Sequence, residues 1–373
     1  MTSRAKTKIL HITQVGGGIQ TYLDFIFNNI DRDKFELILV CPSERTSLIE
    51  MADSYNVKHY NINLEWQISP LKDFRSIISF AKLVKEVKPD IVHAHSSKAG
   101  MIARLASLFF SAPVTYSSHA FAYLGKQGIS RRIFILIEKL AIPVTDILLA
   151  TSKSEAARAI ADLAFPKKKI DIYPNSIEIL PLEESVKKSD KKLITTAGRL
   201  VYQKNPLMYL KVCKLVTDIR DDVLFQIVGA GFEDKLKGEI DKFIEAHSLQ
   251  HKISIIHWMD RPTLLKTIQS SDVFVMTSVF ESYGYVAAEA QMLEVPVVAT
   301  NVDGLNEIVE NNVTGYLVEP EDAQTMADKI LYLLNNPDHA KSLGKNGRLR
   351  IKNLFDIKVN IKILEQFYDK FEK

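Results

Sequence analysis

Two glutamates, Glu281 and Glu289, stand eight positions apart in "TSVFESYGYVAAEAQMLEVPVVAT", residues 277–300. Ser282, Tyr283, Gly284 and Tyr285 lie between them. The pattern predicts a helix starting near Gly284, with Glu281 just before it and Glu289 inside it. The first N–H groups of a helix have no intrahelical partner, so residues 282–285 would form an anion site bracketed by two acids. Eight fully helical positions would separate the acids by roughly 12 Å. That is too wide for a glycosidase acid and nucleophile, which need about 5 to 9.5 Å. It suits one elongated ligand with hydroxyls at both ends and a diphosphate between, the layout of a nucleotide-sugar. The alternative is a helix-dipole role for Glu281 and a buried, paired Glu289.

Other loops could serve such a ligand. "AGRLVYQKNP" (197–206) carries Arg199 and Lys204 after a strand and before a helix. Two cations there suit a phosphate or diphosphate, although solvated surface charges would look the same. "VGAGFE" (228–233) adds a glycine turn at Gly229, and "QVGGGIQTY" (14–22) places Gly17 and Gly18 at another strand-to-helix turn. The latter is a poor dinucleotide fingerprint. Thr21 stands at the third glycine, and Cys41 stands where an acid should end the second strand, so a NAD enzyme is disfavoured.

"IVHAHSSKAG" (91–100) puts His93 and His95 on one face of a strand, and "SSHAF" puts His119 at the end of the next. Three histidines could bind zinc, but no carboxylate or cysteine joins them at ligand spacing. We expect His93 in the core, with His95 and His119 reaching the edge near the glycine loop to contact an acceptor or the transferred group. "GKQGISRRIFILIEKLAI" (125–142) mixes Lys126, Arg131, Arg132 and Lys139 with large apolar residues. It could hold an anionic membrane surface or a lipid diphosphate, or be a half-buried helix with a solvated basic edge. Lys98 joins His95, Lys126, Arg131 and Arg132 as candidates for acceptor and membrane contacts.

The elements that must position these residues alternate along the chain. Largely apolar runs at 8–13, 35–41, 57–62, 91–95, 113–119, 146–152 and 169–174 read as strands, then 193–197, 224–229, 253–257, 273–277 and 296–300. Helical patterns such as 74–88 and 131–143 fill the gaps. This repetition predicts parallel, doubly wound α/β sheets covered on both faces. With 373 residues, two domains are expected. The charged stretch 181–192 is the expected linker, giving domains at 1–185 and 190–356, and the amphipathic 357–373 segment need not belong to the second. A net charge of +3 is too mild for a dedicated nucleic-acid binder. Two cysteines in apolar surroundings fit buried thiols in a reducing cytosol. The expectation is a chain with no signal peptide and no spanning helix.

Taken in order, "VGGGIQTY", "AGRLVYQKNP", "VGAG", the "FESYG" start with its E-x7-E spacing, and "PVVATNVDGLNEIVENNVTGYLVEP" resemble glycosyltransferase family 4 over nearly the whole chain. The resemblance implies the GT-B fold, two Rossmann-like domains facing a central cleft, and retaining, metal-independent sugar transfer with no cofactor. On it, Arg199 and Lys204 hold the donor diphosphate, Glu289 binds the ribose hydroxyls, and Glu281 holds sugar hydroxyls with the Tyr283 and Gly284 backbone. Gly17 and Gly18 approach the diphosphate, His119 sits near the anomeric carbon, and the C-terminal helix crosses back onto the first domain. The "HAHSSKAG…SSHAF…RR…IEK" series resembles members that extend polyprenyl-diphosphate-linked glycans for bacterial capsule or lipopolysaccharide. That implies a UDP-sugar donor, a lipid-linked acceptor and a cytoplasmic enzyme peripheral at the inner membrane face. A nucleotide-sugar epimerase and a non-catalytic nucleotide-sugar-binding subunit are the rival readings. Two departures bear on turn geometry: Glu294 stands where a glycine is usual, and Asp303-Gly304 replaces a glycine pair.

Overall fold

The computed structural model describes residues 6–65, 67–183, 190–231 and 236–372. The chain divides into two compact units, Met1–Glu178 with Ile357–Lys373, and Ile179–Asp356. Of the expected linker, residues 184–189 lie outside the described residues, as do Phe232 and Glu233 of the second glycine turn. The domain boundary expected at 185 falls earlier. The Leu180 carbonyl accepts from Arg348 Nη2 at 2.7 Å and the Glu183 carbonyl from Gln269 Nε2 at 3.0 Å, so this stretch is anchored to the second unit.

The first unit holds β1 (Thr7–Ile12), β2 (Phe35–Cys41), β3 (Lys58–Asn61), β4 (Ile91–His95), β5 (Val114–Ser117), β6 (Ile147–Ala150) and β7 (Ile170–Ile172). The second holds β8 (Lys192–Ala197), β9 (Val223–Ala230), β10 (Ile253–His257), β11 (Val273–Met276), β12 (Val297–Thr300) and β13 (Gly315–Val318). Their orders are β3-β2-β1-β4-β5-β6-β7 and β10-β9-β8-β11-β12-β13, and the pairings are parallel. Parallel strands need crossovers, and the crossover helices bury both sheet faces. That is why the central strands read as largely apolar runs. Strands β3 and β7, at the sheet edges, are half-exposed instead. β13 is a short strand that follows a turn through Asn311–Thr314 and was not marked by its own pattern.

One face of the first sheet is apolar: Leu10, Ile12, Val92, Ala94 and Val114 pack with Phe80, Val84, Ile102 and Ala103 of the Pro70–Val87 and Ser97–Ala106 helices. The other face is unusual. Register sets His11 beside His93 and His95 beside Ser117, and the period-two alternation puts all four on the same side. The second sheet is apolar around Ile194, Phe225, Val273 and Val298, covered by Met208, Val212, Ile330 and Leu334. The C-terminal helix Ile357–Asp369 packs with the first unit, where Ile357 N–H donates to the Ile177 carbonyl at 3.0 Å.

The glycine-replacing residues keep the backbone a glycine would adopt. Glu294 has φ +60° and Asp303 has φ +35°. The Glu294 turn is fixed because Gly344 packs on it: a Cβ at Gly344 would meet the Glu294 carbonyl oxygen at 2.0 Å. A left-handed non-glycine residue costs about 1–2 kcal/mol, partly offset in Glu294→Gly by the extra entropy of an unfolded glycine. Glu294→Gly should therefore raise unfolding stability by about 0.5–1 kcal/mol, whereas Gly344→Ala should lower it by more than about 2 kcal/mol. Denaturant titration of both variants checks the pair of opposite signs.

Candidate active site

In the second unit, chemistry collects at the carboxyl ends of the strands. The Gly198–Asn205 loop after β8 is stitched to the turn after β11. Val279 N–H donates to the Gln203 carbonyl at 2.8 Å, Gln203 Nε2 to the Phe280 carbonyl at 3.2 Å, and Thr277 Oγ1 to the Lys204 and Asn205 carbonyls at 2.9 and 3.0 Å. These bonds bring Lys204 Nζ onto Glu281 Oε1 in a direct ion pair, and Ser278 Oγ donates to the same oxygen at 3.1 Å. Glu281 is 6% exposed. Its pairing with Lys204 settles the buried charge, and Arg199 stays exposed. Gly198, Arg199, Lys204, Ile227, Met276 and Ser278 are among the residues lining one pocket.

The helix begins at Tyr285 with Gly284 as its cap, at φ +96°. Residues 281–284 are not helical, so eight helical rises do not measure the separation of the two acids; only Tyr285–Met292 follow the helical spacing. A tight backbone approach positions this turn. Gly304 N–H donates to the Glu281 carbonyl at 3.0 Å, and a Cβ at Gly304 would meet the Ser282 carbonyl oxygen at 2.4 Å. Tyr283 is buried, its ring 5.0 Å from Tyr285 and 5.6 Å from Phe355, while Ser282 and Tyr285 are half-buried. Gly229, at φ +106°, lies against the Gly198 backbone, 3.0 Å from its carbonyl oxygen to an added Cβ. That contact lets the loops after β8 and β9 close on each other.

Glu289 has the partner its burial demands. Arg261 Nε donates to Oε1 at 2.8 Å from the start of the Arg261–Gln269 helix. Burial pushes the Glu289 carboxyl up, against the pull of Arg261. Neither Arg261 nor Ser278 was marked by sequence. Arg261 carries a weak signal in "MDRPT", where Asp260 and Pro262 announce a helix start.

The first unit presents Gly17 and Gly18 exposed at the start of the Gly18–Asn29 helix, with Gly17 at φ +65°. Beneath this edge lies a chain of imidazoles. His11 Nδ1 is 3.0 Å from His95 Nε2, and His95 Nδ1 is 3.1 Å from His119 Nε2. His93 Nδ1 meets the Tyr368 hydroxyl at 2.6 Å and His93 Nε2 meets Ser117 Oγ at 2.9 Å. His11, His93 and His95 are fully buried, and His119 is half-buried. The expectation that His95 reaches the edge is therefore corrected: it lies behind His119, and each ring nitrogen faces another imidazole. His93 is a core residue that docks the C-terminal helix.

Burial holds these rings neutral. His11 and His119 are pushed down to about 3 by desolvation, and His93 and His95 lie well below the ordinary range, with neighbouring imidazoles adding to desolvation. Nitrogens of His11, His93 and His95 lie within 4.8 Å of one another. Five of their six ring nitrogens are engaged, with one another, His119, Tyr368 and Ser117, and the trio contains no carboxylate.

Lys98 is paired with Asp73 at 2.5 Å and donates to the Gln67 carbonyl at 3.0 Å, which commits it to holding two helices. Lys126 lies over the Phe134 ring at 5.2 Å, Arg131 is 3.7 Å from Asp162, and Arg132 is exposed. The Gly128–Ala141 helix buries Glu138, whose carboxylate takes Arg104 Nη2 at 2.9 Å and the Tyr116 hydroxyl at 3.2 Å. Its outward face shows Ile129, Ile133, Leu136 and Leu140 beside Arg131, Arg132 and Lys139. Among the described residues, no helix is long and apolar enough to cross a membrane.

A sheet order of this kind in each unit, with glycine turns at the strand ends and Lys204, paired with Glu281, lining a pocket there, is the architecture of the GT-B class. The sequence matches the profile of glycosyl transferases group 1 over residues 182–350 and that of glycosyltransferase family 4 over residues 16–179. The chain belongs to glycosyltransferase family 4. It is 28% identical to a UDP-Gal:alpha-D-GlcNAc-diphosphoundecaprenol alpha-1,3-galactosyltransferase of Escherichia coli, covering 98% of each chain. It is 27% identical to the capsular polysaccharide biosynthesis glycosyltransferase CapM of Staphylococcus aureus, covering 87% of this chain and 90% of that one. The fold matches that of Anabaena HepE, solved in complex with UDP, with a TM-score of 0.79 at 18% identity over 97% of this chain and 100% of that one.

The histidine chain sets an acid limit. Its folded pKa values lie below the unfolded value near 6.5, so the folded state disfavours the proton. The stability this represents is complete above about pH 6.5 and is lost as pH falls toward about 3. Each fully buried imidazole that titrates only on unfolding should remove about 1.4 kcal/mol per pH unit below that point. Hydrogen exchange at β1 and β4 between pH 7 and 4.5 should show this loss, and His11→Phe should flatten the slope.

Proposed function

We propose that this glycosyltransferase is a retaining hexosyltransferase that moves a hexose or N-acetylhexosamine from a UDP-sugar to a polyprenyl-diphosphate-linked glycan during cell-surface polysaccharide assembly. The observation that carries the reading is the ion pair between Lys204, which lines a pocket at the end of β8, and Glu281, three residues before the Gly284 cap of the Tyr285–Met292 helix. End-to-end alignment with an enzyme named for a diphosphoundecaprenol acceptor supports the acceptor class.

The residues divide the work by chemistry. Arg199, Lys204 and the first turn of the Tyr285–Met292 helix neutralise charge developing on the departing diphosphate. Glu281 accepts from hydroxyls of the sugar, and Glu289, oriented by Arg261, accepts from the ribose hydroxyls. Gly17 and Gly18 give the diphosphate an uncluttered helix N-terminus. His119 donates to the sugar. Cations and backbone dipoles take the place of a metal, and the leaving phosphate takes the proton of the acceptor hydroxyl, which attacks on the face it leaves. Glu281→Gln should lower turnover of UDP-galactose far more than UDP affinity, while Glu289→Ala should weaken UDP binding itself. Calorimetry giving the reverse order would exchange the two roles. Lys204→Ala should cost about 2–4 kcal/mol of transition-state stabilisation, and EDTA should leave the rate unchanged. Loss with EDTA and recovery with manganese would sink the metal-free mechanism.

The Gly128–Ala141 helix docks the enzyme on anionic lipid at the inner membrane face. Residues 129, 133, 136 and 140 repeat at helical spacing on its solvent side, and Ile129 and Leu140 are 76% and 71% exposed. Its one acid, Glu138, is turned inward to Arg104, which leaves Arg132 and Lys139 exposed among these apolar residues. Each basic residue near such a surface contributes about 1 kcal/mol, so Arg132→Ala/Lys139→Ala should weaken binding to phosphatidylserine vesicles roughly 30-fold. Flotation equal to wild type at physiological salt would remove the membrane role.

A further inference from the structure

We propose that His11, His95 and Glu155 are positioning residues that present His119 as a neutral imidazole with its proton fixed on Nδ1. The proposal rests on the reading that His119 acts on the transferred sugar, and it specifies how: as a hydrogen-bond donor through Nδ1.

The chain His11–His95–His119 has two possible polarities. In one, His11 Nδ1–H donates to His95 Nε2, and His95 Nδ1–H donates to His119 Nε2. His119 must then carry its proton on Nδ1, and His11 Nε2 is a bare lone pair. In the other polarity each proton moves to the opposite nitrogen, and His11 Nε2 carries an N–H. That atom is buried and has no partner among the described residues. A buried donor without an acceptor is rarer than an under-used acceptor. The far end of the chain therefore sets the tautomer of the near end.

His93 is wired separately and does not disturb this order. Ser117 Oγ donates its only proton to the Leu149 carbonyl at 2.7 Å. His93 Nε2 must then donate to Ser117, and His93 Nδ1 must accept from the Tyr368 hydroxyl. Its lone pair is spent on the C-terminal helix.

The backbone at His119 is held as firmly as the ring. His119 and Ala120 have φ of +49° and +81°, two consecutive non-glycine residues in a region that each occupies only under external constraint. Glu155 supplies the constraint. Its Oε1 accepts from Ser118 Oγ and from Ala120 N–H at 3.1 Å, on either side of His119. Its Oε2 accepts from Thr151 N–H at 2.7 Å and Thr151 Oγ1 at 2.9 Å. The carboxylate is 5% exposed and spends both oxygens on this clamp.

The test uses the full-length protein with nitrogen-15 imidazoles, the His119 signals being assigned by their loss in His119→Ala. Long-range proton–nitrogen spectra at neutral pH should show His119 and His95 protonated on Nδ1 and His93 protonated on Nε2. His119 protonated on Nε2, or charged at that pH, overturns the proposal. His11→Asn keeps a donor near the place of Nδ1 and should preserve the His119 spectrum. His11→Leu removes the donor and should give mixed tautomers, with kcat for UDP-galactose hydrolysis lowered about tenfold and UDP affinity unchanged. Glu155→Gln should lower kcat in the same way, and a wild-type kcat there removes the clamp. If the spectra are as expected but His119→Ala turns over UDP-galactose at the wild-type rate, the catalytic reading of His119 fails and the wired tautomer stands. The wrong tautomer beside an inactive His119→Ala overturns the wiring and leaves the catalytic reading of His119 in place.

Discussion

Parallel pairing constrains everything else in both units. A parallel strand cannot be reached by a tight turn, so each connection is a helix or long loop laid across a sheet face. Both faces are then covered, and the groups left free are those at the strand ends. In the second unit the loops after β8, β9 and β11 would still be kept apart by their own side chains. Gly198, Gly229 and Gly304 remove that obstacle, since each lies where a Cβ would meet a neighbouring loop or side chain at 3.2 Å or less. With the backbones this close, Lys204 and Glu281 meet in a direct ion pair.

Charge placed on such a frame is expensive unless paired. The structure pairs Glu281 with Lys204, Glu289 with Arg261 and Glu138 with Arg104. Buried ion pairs of this kind are weak contributors to net stability, because desolvation offsets most of the attraction. Their value is orientation. A carboxylate held by a cation and a hydroxyl, as Glu281 is, already points its remaining lone pairs before any ligand arrives, and groups fixed in advance need no reorganisation when charge develops.

Much of this was legible in the sequence, because it follows from periodicity. The central strands and the helix start at Gly284 were written in apolar runs and in turn residues. The edge strands β3 and β7 were legible in outline, and β13 was not, because four residues after an irregular turn carry too little pattern. The boundary near 178 escaped for another reason: it depends on Arg348 reaching back across the sequence to the Leu180 carbonyl, and no local signal encodes such a bond. The same holds for Arg261 beside Glu289. The histidine chain was half legible. His93 and His95 share a face by alternation, but His11 joins them only through the register of β1 on β4. Glu155 did have a signal, the Ser152-x-x-Glu155 spacing of a capping box. Ser152 Oγ does accept from the Glu155 N–H at 3.1 Å, while the Glu155 side chain turns from its own helix to the His119 loop.

The two units therefore use opposite electrostatic solutions. The second places Arg199 and Lys204 after β8, where on the proposed reading a diphosphate leaves and negative charge grows on its oxygens. The first keeps His11, His93, His95 and His119 neutral by burying them. On the reading of retaining sugar transfer, positive charge grows at the anomeric carbon as the diphosphate departs, and an imidazolium near the sugar would oppose it. A neutral ring that donates one N–H avoids that repulsion and still fixes a sugar oxygen. Desolvation, which holds His11 and His119 near 3, is then more than a cost of packing histidines beneath a sheet edge. It keeps the donor uncharged across the pH range in which the phosphate groups remain ionised.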